Sequence, residues 1–169
     1  MENKGLLPEI KKEEVERVKN DAWELIYLFG KKYYEIIEKN DEKITEQFSE
    51  YQHTLMAYKY FDSEVCNGGF IQLIQNGYGD YIFNSSFSEN LKSWGAEKAS
   101  EIVEKAKIIY KKYRKELEEE KSNEKFSELY KKITEFEPLE DEYYKINDDE
   151  TEKVKSYIET HLNNFAKII

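Results

Sequence analysis

Cysteine is nearly absent. Cys66 stands alone in 169 residues, so no intrachain disulfide can form. The two histidines, His53 and His161, lie far apart without cysteine company. They do not make the four-donor set that a zinc site needs, and neither a metal nor a cofactor is expected. No run approaches the ~18 apolar residues of a membrane span. Residues 1–8 hold no apolar leader core, so a cytoplasmic protein is the simplest expectation. There is no Walker loop, no Gly-x-Ser-x-Gly and no Gly-x-Gly-x-x-Gly, which removes the commonest nucleotide and hydrolase signatures. Basic charge is also short, with 26 Lys and Arg against 36 Asp and Glu, a net charge of -10. That balance argues against direct nucleic-acid binding through a basic surface and against an anionic membrane. The electrostatically natural partner is a basic protein.

Large apolar side chains are plentiful. Charged residues make up 37% of the chain and the mean hydropathy is -0.88, values that would permit disorder. Leu, Ile, Val and Phe nevertheless supply about a quarter of the residues, above the disorder range. Fourteen Tyr and two Trp add rings that disordered chains rarely carry. Seven Gly and two Pro leave few breaks in long helices. The length suits one domain, and periodicity makes it all-α, a single-domain bundle of about six to eight helices over residues 1–169.

After Pro8, the apolar residues Val15, Val18, Ala22, Leu25, Phe29, Tyr33 and Ile36 recur at helical spacing. They predict a helix over 9–39, started by Pro8, kinked or interrupted at Gly30 and ended at Asn40-Asp41. A second helix is expected over about Glu46–Cys66, then a stop at Asn67-Gly68-Gly69 and a short helix ending at Asn76-Gly77. Tyr81–Leu91 reads as one short helix and Trp94-Gly95-Ala96 as a corner. Glu97 to about Glu120 carries the clearest period. Phe126 to Phe136 mark the next helix, which Pro138 is expected to end. The last pattern runs from Val154 to Ile168, with Asp149 and Glu152 placed as a capping box for it.

Two constellations stand out. In the first, Glu64, Asn67, Gly68, Gly69, Phe70, Gln72 and Asn76 form a glycine corner flanked by short polar groups. These can cap the two helix ends while Phe70 anchors the corner; the functional alternative is a polar pocket for a small molecule. In the second, Glu137, Glu140, Asp141, Glu142, Asp148, Asp149, Glu150 and Glu152 face only Lys145, eight acids and one base giving a net -7. At helical rise these residues would span roughly 24 Å, about one charge per ~3.4 Å, close to one strand of duplex DNA. The plainer alternative is a solvated loop followed by acids at a helix N-terminus. His161 on the last apolar stripe, His53, and Cys66 beside the corner read as core or boundary residues rather than reactive groups. No spacing of acids singles out a general acid and base.

At Asn67-Gly68-Gly69-Phe70-x-Gln72, following an acidic helix end and followed by Asn76, the sequence resembles the bacterial DNA-mimic protein family. The same order continues through Gly79-Asp80, Gly95-Ala96, Ala106, Leu139-Glu140-Asp141-Glu142-Tyr143-Tyr144, His161 and Phe165. The resemblance spans about residues 48–166, with the 9–39 helix packed on that region. Leu73-Ile74 replace the family's frequent aromatics, and Gly77 replaces its small hydroxyl residue. The resemblance implies an all-α fold, a homodimer and no catalytic activity. It also implies carboxylates that stand in for phosphates on a DNA-binding protein such as a transcription factor. Glu137, Glu140, Asp141, Glu142, Asp148, Asp149 and Glu150 are the expected partner-binding residues. Glu64, Asn67, Gly68, Gly69, Phe70, Gln72, Asn76 and Gly95 are the expected structural motif. The competing reading is an immunity or adaptor protein that binds its partner through an apolar hot spot of Tyr and Trp. An enzyme built on Glu64, Asn67 and Gln72 has no motif behind it.

Overall fold

A computed structural model describes residues 5–120 and 122–169; residues 1–4, part of the N-terminal stretch read above, lie outside it. The chain is all-α. Nine α-helices and one 3-10 helix make up the described residues, beside one two-residue parallel pairing. Two of the predicted helices divide, two others join as one helix, and the last splits near its end.

The segment over 9–39 is the first. Glu9–Ile10 is a short strand, β1, and α1 begins only at Lys12, running to Val18; α2 spans Ala22–Lys39. Asn20-Asp21 breaks the pattern, because the Asp21 carboxylate accepts the Glu24 N–H at 2.9 Å and so starts a new helix. Pro8 therefore precedes a strand, and Gly30 stays inside α2 without interrupting it. Residues Glu42–Gln47 form the 3-10 helix, which displaces the expected start at Glu46. The next helix, α3, covers Glu50–Gln75. Ser49 and Gln52 start it reciprocally: the Ser49 Oγ accepts the Gln52 N–H at 3.3 Å, and the Gln52 Oε1 accepts the Ser49 N–H at 2.9 Å.

α3 is broken once, at Gly69, where φ is 82° and ψ -174°. It ends at Asn76-Gly77 as predicted. The expected 81–91 helix divides into α4, Gly79–Phe83, and α5, Phe87–Ser93. Gly95 turns the chain at φ 92° into α6, Glu97–Glu118. α7 covers Asn123–Lys132 and α8 covers Glu137–Thr160. Pro138 thus opens α8 instead of closing α7: in a first turn its missing N–H has no helical partner to lose. Asp149 consequently lies inside a helix and caps nothing as a helix start, and the whole acidic run is one helix. After α9, Leu162–Phe165, the chain extends as β2, Lys167–Ile168, instead of continuing as helix. β2 pairs in parallel with β1, Glu9 opposite Lys167 and Ile10 opposite Ile168.

The chain divides into two compact units, residues up to Lys59 with Thr151–Ile169, and Tyr60–Glu150. The boundaries fall inside α3 and α8. In the first unit, Leu25, Ile26, Phe29, Tyr33 and Phe165 are fully buried. The Tyr33 hydroxyl donates to the Phe165 carbonyl at 2.9 Å, and Tyr58 and Thr151 share a hydrogen bond of 2.7 Å. In the second unit the core is a run of rings. Tyr143 lies 4.6 Å from Phe61, Phe70 lies 5.3 Å from Phe136, and Phe83 lies 4.8 Å from Tyr110, centre to centre. Phe70 also neighbours Phe61 and Phe83, so one side chain joins the runs. Among the described residues no helix is long and apolar enough to cross a membrane.

Because Phe70 sits at that junction, Phe70→Ala is expected to lower unfolding stability by about 3–5 kcal/mol. Urea denaturation followed by circular dichroism measures it, and a loss below about 1 kcal/mol would contradict the central place given to this ring.

Candidate protein-binding face

The glycine corner is built from hydrogen bonds within the second unit. At Gly69 the backbone enters the left-handed region, and a Cβ there would collide with the Glu140 carboxylate. The bare glycine lets that carboxylate reach the first N–H after the break: Glu140 Oε1 accepts from the Phe70 N–H at 2.8 Å. The Tyr130 hydroxyl donates to the Gly68 carbonyl at 2.7 Å, and the Tyr144 hydroxyl to the Val65 carbonyl at 3.0 Å. The Glu64 carboxylate accepts from Gln72 Nε2 at 2.9 Å and Asn76 Nδ2 at 2.8 Å, while Asn67 Nδ2 donates to Gln72 Oε1 at 3.2 Å. Glu64, Asn67, Gln72 and Asn76 thus bond mainly to one another. These bonds brace the break. Among the described residues no group of three or more His, Cys, Asp or Glu is arranged to hold a metal ion.

α8 divides its acids into two populations. Glu140 is half-buried on the Phe70 N–H. Glu150 is 0% exposed, and its Oε2 accepts the Ala99 N–H at 2.9 Å. α6 starts after Ala96, which has no side-chain acceptor, so Glu150 takes the place of a capping residue from another helix. These two of the seven expected partner-binding residues therefore hold helix starts inside the unit. Glu137, Asp141, Glu142, Asp148 and Asp149 are exposed.

The helical period places Glu137, Asp141 and Asp148 within about 40° of one another, with Glu142 and Asp149 about 100° further round. Lys145, also exposed, falls between the two rows. Glu137 to Asp149 spans about 18 Å, so five acids and one lysine leave a net charge of four, about one per 4.5 Å. Tyr144, 45% exposed, lies at the margin of this face.

Asp62 lies under the same helix and accepts the Tyr143 hydroxyl at 2.7 Å. Burial raises its pKa, the Tyr143 and Cys66 hydrogen bonds oppose this, and Asp148 adds to the rise. Burial likewise raises Glu140; the Phe70 N–H opposes it, while Glu137 and Asp141 add to it. Cys66 is exposed rather than a core or boundary residue, because it falls on the outer side of α3 beyond Val65. Partial burial and the neighbouring Asp62 push its thiol up to about 11, so it is a poor nucleophile at neutral pH. His161 is exposed too, since α8 ends before it and its ring stacks on Tyr157 at 4.1 Å. His53 is partly buried as a boundary residue. Burial lowers its pKa, partly offset by its bond to the Thr45 carbonyl and by Glu50. The burial of Glu150 was hidden from sequence; its one clue was that Ala96, opening a long helix, cannot cap it.

The family model described as DMP19-like protein matches residues 46–161. The chain is 31% identical over 145 residues to a protein of Neisseria meningitidis serogroup B (strain ATCC BAA-335 / MC58) named "DNA mimic protein DMP19". The match covers 85% of this chain and 88% of that relative. The chain belongs to the DMP19-like protein family.

Replacing Glu140 or Glu150 by Ala is expected to cost about 1–3 kcal/mol each, since each change orphans a helix-start N–H. Gln, which keeps an acceptor oxygen, is expected to retain most of the stability. A second outcome follows from the raised pKa values of Asp62 and Glu140. A carboxyl whose folded pKa lies above its unfolded value binds more protons when folded, so its contribution to stability falls as pH rises through that window. Asp62→Asn should therefore reduce the stability gained on lowering the pH from 7 to about 4, the ordinary range of an unfolded aspartate. Thermal melts at the two pH values measure this; an unchanged pH slope would place Asp62 outside the linkage.

Proposed function

We propose that this protein is a non-enzymatic DNA mimic that covers the basic surface of a DNA-binding protein, such as a transcription regulator, in the cytoplasm. The carrying observation is the exposed carboxylate face of α8, formed by Glu137, Asp141, Glu142, Asp148 and Asp149. The similarity to a relative named as a DNA mimic supports it. Each carboxylate takes the role of a phosphate oxygen toward Arg or Lys, with Arg able to bind in bidentate fashion. The acids sit on a helix whose backbone is already ordered, so only side chains lose freedom on binding. The face is less dense in charge than a DNA strand, and the exposed Tyr144 ring at its edge offers the partner an apolar contact. The family resemblance extends the proposal to a homodimer, whose mass analytical ultracentrifugation reads directly.

The test is affinity capture from native lysate of the source organism at low salt, with and without excess duplex DNA. The expected result is a DNA-binding protein that both DNA and salt release. Neutralising the five exposed acids to Asn or Gln should weaken that capture by at least about tenfold, with the circular dichroism spectrum unchanged. A partner indifferent to DNA and salt would favour the immunity or adaptor reading. Unchanged capture by the neutralised variant would remove the α8 face as the binding site.

A further inference from the structure

The first unit holds a pocket with a cation whose electrostatic demand is unmet. α2 carries Tyr27, Gly30 and Tyr34 along one side, and the Lys59 side chain from α3 lies across them. Its ammonium is 5.1 Å from the centre of the Tyr27 ring and 4.9 Å from that of Tyr34. A Cβ at Gly30 would come within 2.6 Å of the Lys59 Nζ and 2.8 Å of its Cδ. The bare backbone of Gly30 therefore makes the cradle in which the ammonium rests. Ring faces attract a cation but carry no formal charge. Among the described residues Lys59 forms no ion pair and no hydrogen bond. Half-burial without a counter-ion holds its pKa below the ordinary lysine value.

The cradle opens into a solvent-open groove of about 620 Å³ that Val18 and Leu28 line with apolar surface. Tyr27 is 55% exposed, so part of its ring is available to a ligand. Lys31 adds a second cation at the rim, and Glu24 and Glu38 line the same groove without pairing with Lys59. We propose that this groove binds a monocarboxylate with an apolar or aromatic body, its carboxylate on the Lys59 ammonium and its body against Val18, Leu28 and Tyr27. A cation is repelled by Lys59. A neutral apolar molecule leaves the half-buried ammonium as it is. A dianion such as phosphate has no apolar body to bury and meets Glu24 and Glu38 with twice the charge. The site is separate in sequence and chemistry from the α8 acids, and it stands whether or not those acids bind a DNA-binding protein.

The test is a proton–nitrogen NMR titration of the full chain with benzoate, with its neutral isostere benzamide, and with inorganic phosphate. Benzoate is expected to give saturable shifts confined to residues 27–34, Lys59 and their neighbours, with benzamide and phosphate at least roughly tenfold weaker. Lys59→Met, which keeps the stem and removes the charge, should abolish the benzoate shifts while leaving the remaining spectrum in place. Glu24→Gln with Glu38→Gln, two exposed or partly exposed changes, should tighten benzoate binding severalfold. If Lys59→Met fails to fold, this double variant carries the test, and an unchanged benzoate affinity overturns the proposal. It is equally overturned by no saturable shift at millimolar benzoate, by benzamide or phosphate binding as tightly, or by shifts that survive in folded Lys59→Met.

Discussion

A helix start leaves backbone N–H groups without partners, and two such starts in this protein are completed by carboxylates from a third helix. Glu140 reaches the Phe70 N–H and Glu150 reaches the Ala99 N–H. Both starts lack a local solution. Phe70 follows a glycine that breaks α3, and α6 follows an alanine that cannot accept a hydrogen bond. Each glutamate supplies an acceptor and places negative charge where the helix dipole favours it. The ring run of the second unit depends on this arrangement, because Phe70 reaches its partners only if the chain restarts as a helix at that residue.

The same constraint shapes the candidate binding face. A helix turns by about 100° per residue, so acids adjacent in sequence cannot all face one way. α8 uses the inward ones to hold the fold and leaves the outward ones in water. The net charge of residues 137–152 therefore overstates what a partner could meet. The surface that remains has two rows of acids separated by Lys145, sparser than a phosphate backbone but carried on a rigid support. In the proposed function that rigidity offsets part of the lower charge density, since binding then orders few additional groups.

Several features were legible in the residues. Asn67-Gly68-Gly69 announced the break, Asn76-Gly77 the end of α3 and Gly95 the corner before α6, because positive φ is costly for side chains with a Cβ. The period of Ala99, Ile102, Val103, Ala106 and Tyr110 gave α6 almost to the residue. Pro138 misled, since a proline can end one helix or open another, and here α7 has already ended at Lys132 before it is reached. Asp149-x-x-Glu152 has the spacing of a capping box inside an uninterrupted helix, where its backbone N–H groups are already bonded. β1 and β2 are two residues each and pair across almost the whole chain, far too short and too distant to leave a periodic signal.

By itself the sequence determined the all-α class, the acidic balance, the glycine corner and the segment in which the acids concentrate, because these follow from local sterics, periodicity and composition. Tertiary structure alone decided which acids are spent and which remain. Glu140, Asp141 and Glu142 are neighbours with the same charge, yet one is bonded under the corner and two face water. Glu150 is sealed while Asp149 beside it is exposed. The physical reason is that a carboxylate's role depends on whether an orphaned N–H from a distant segment is packed against it, and such a donor has no trace in the residues next to the acid.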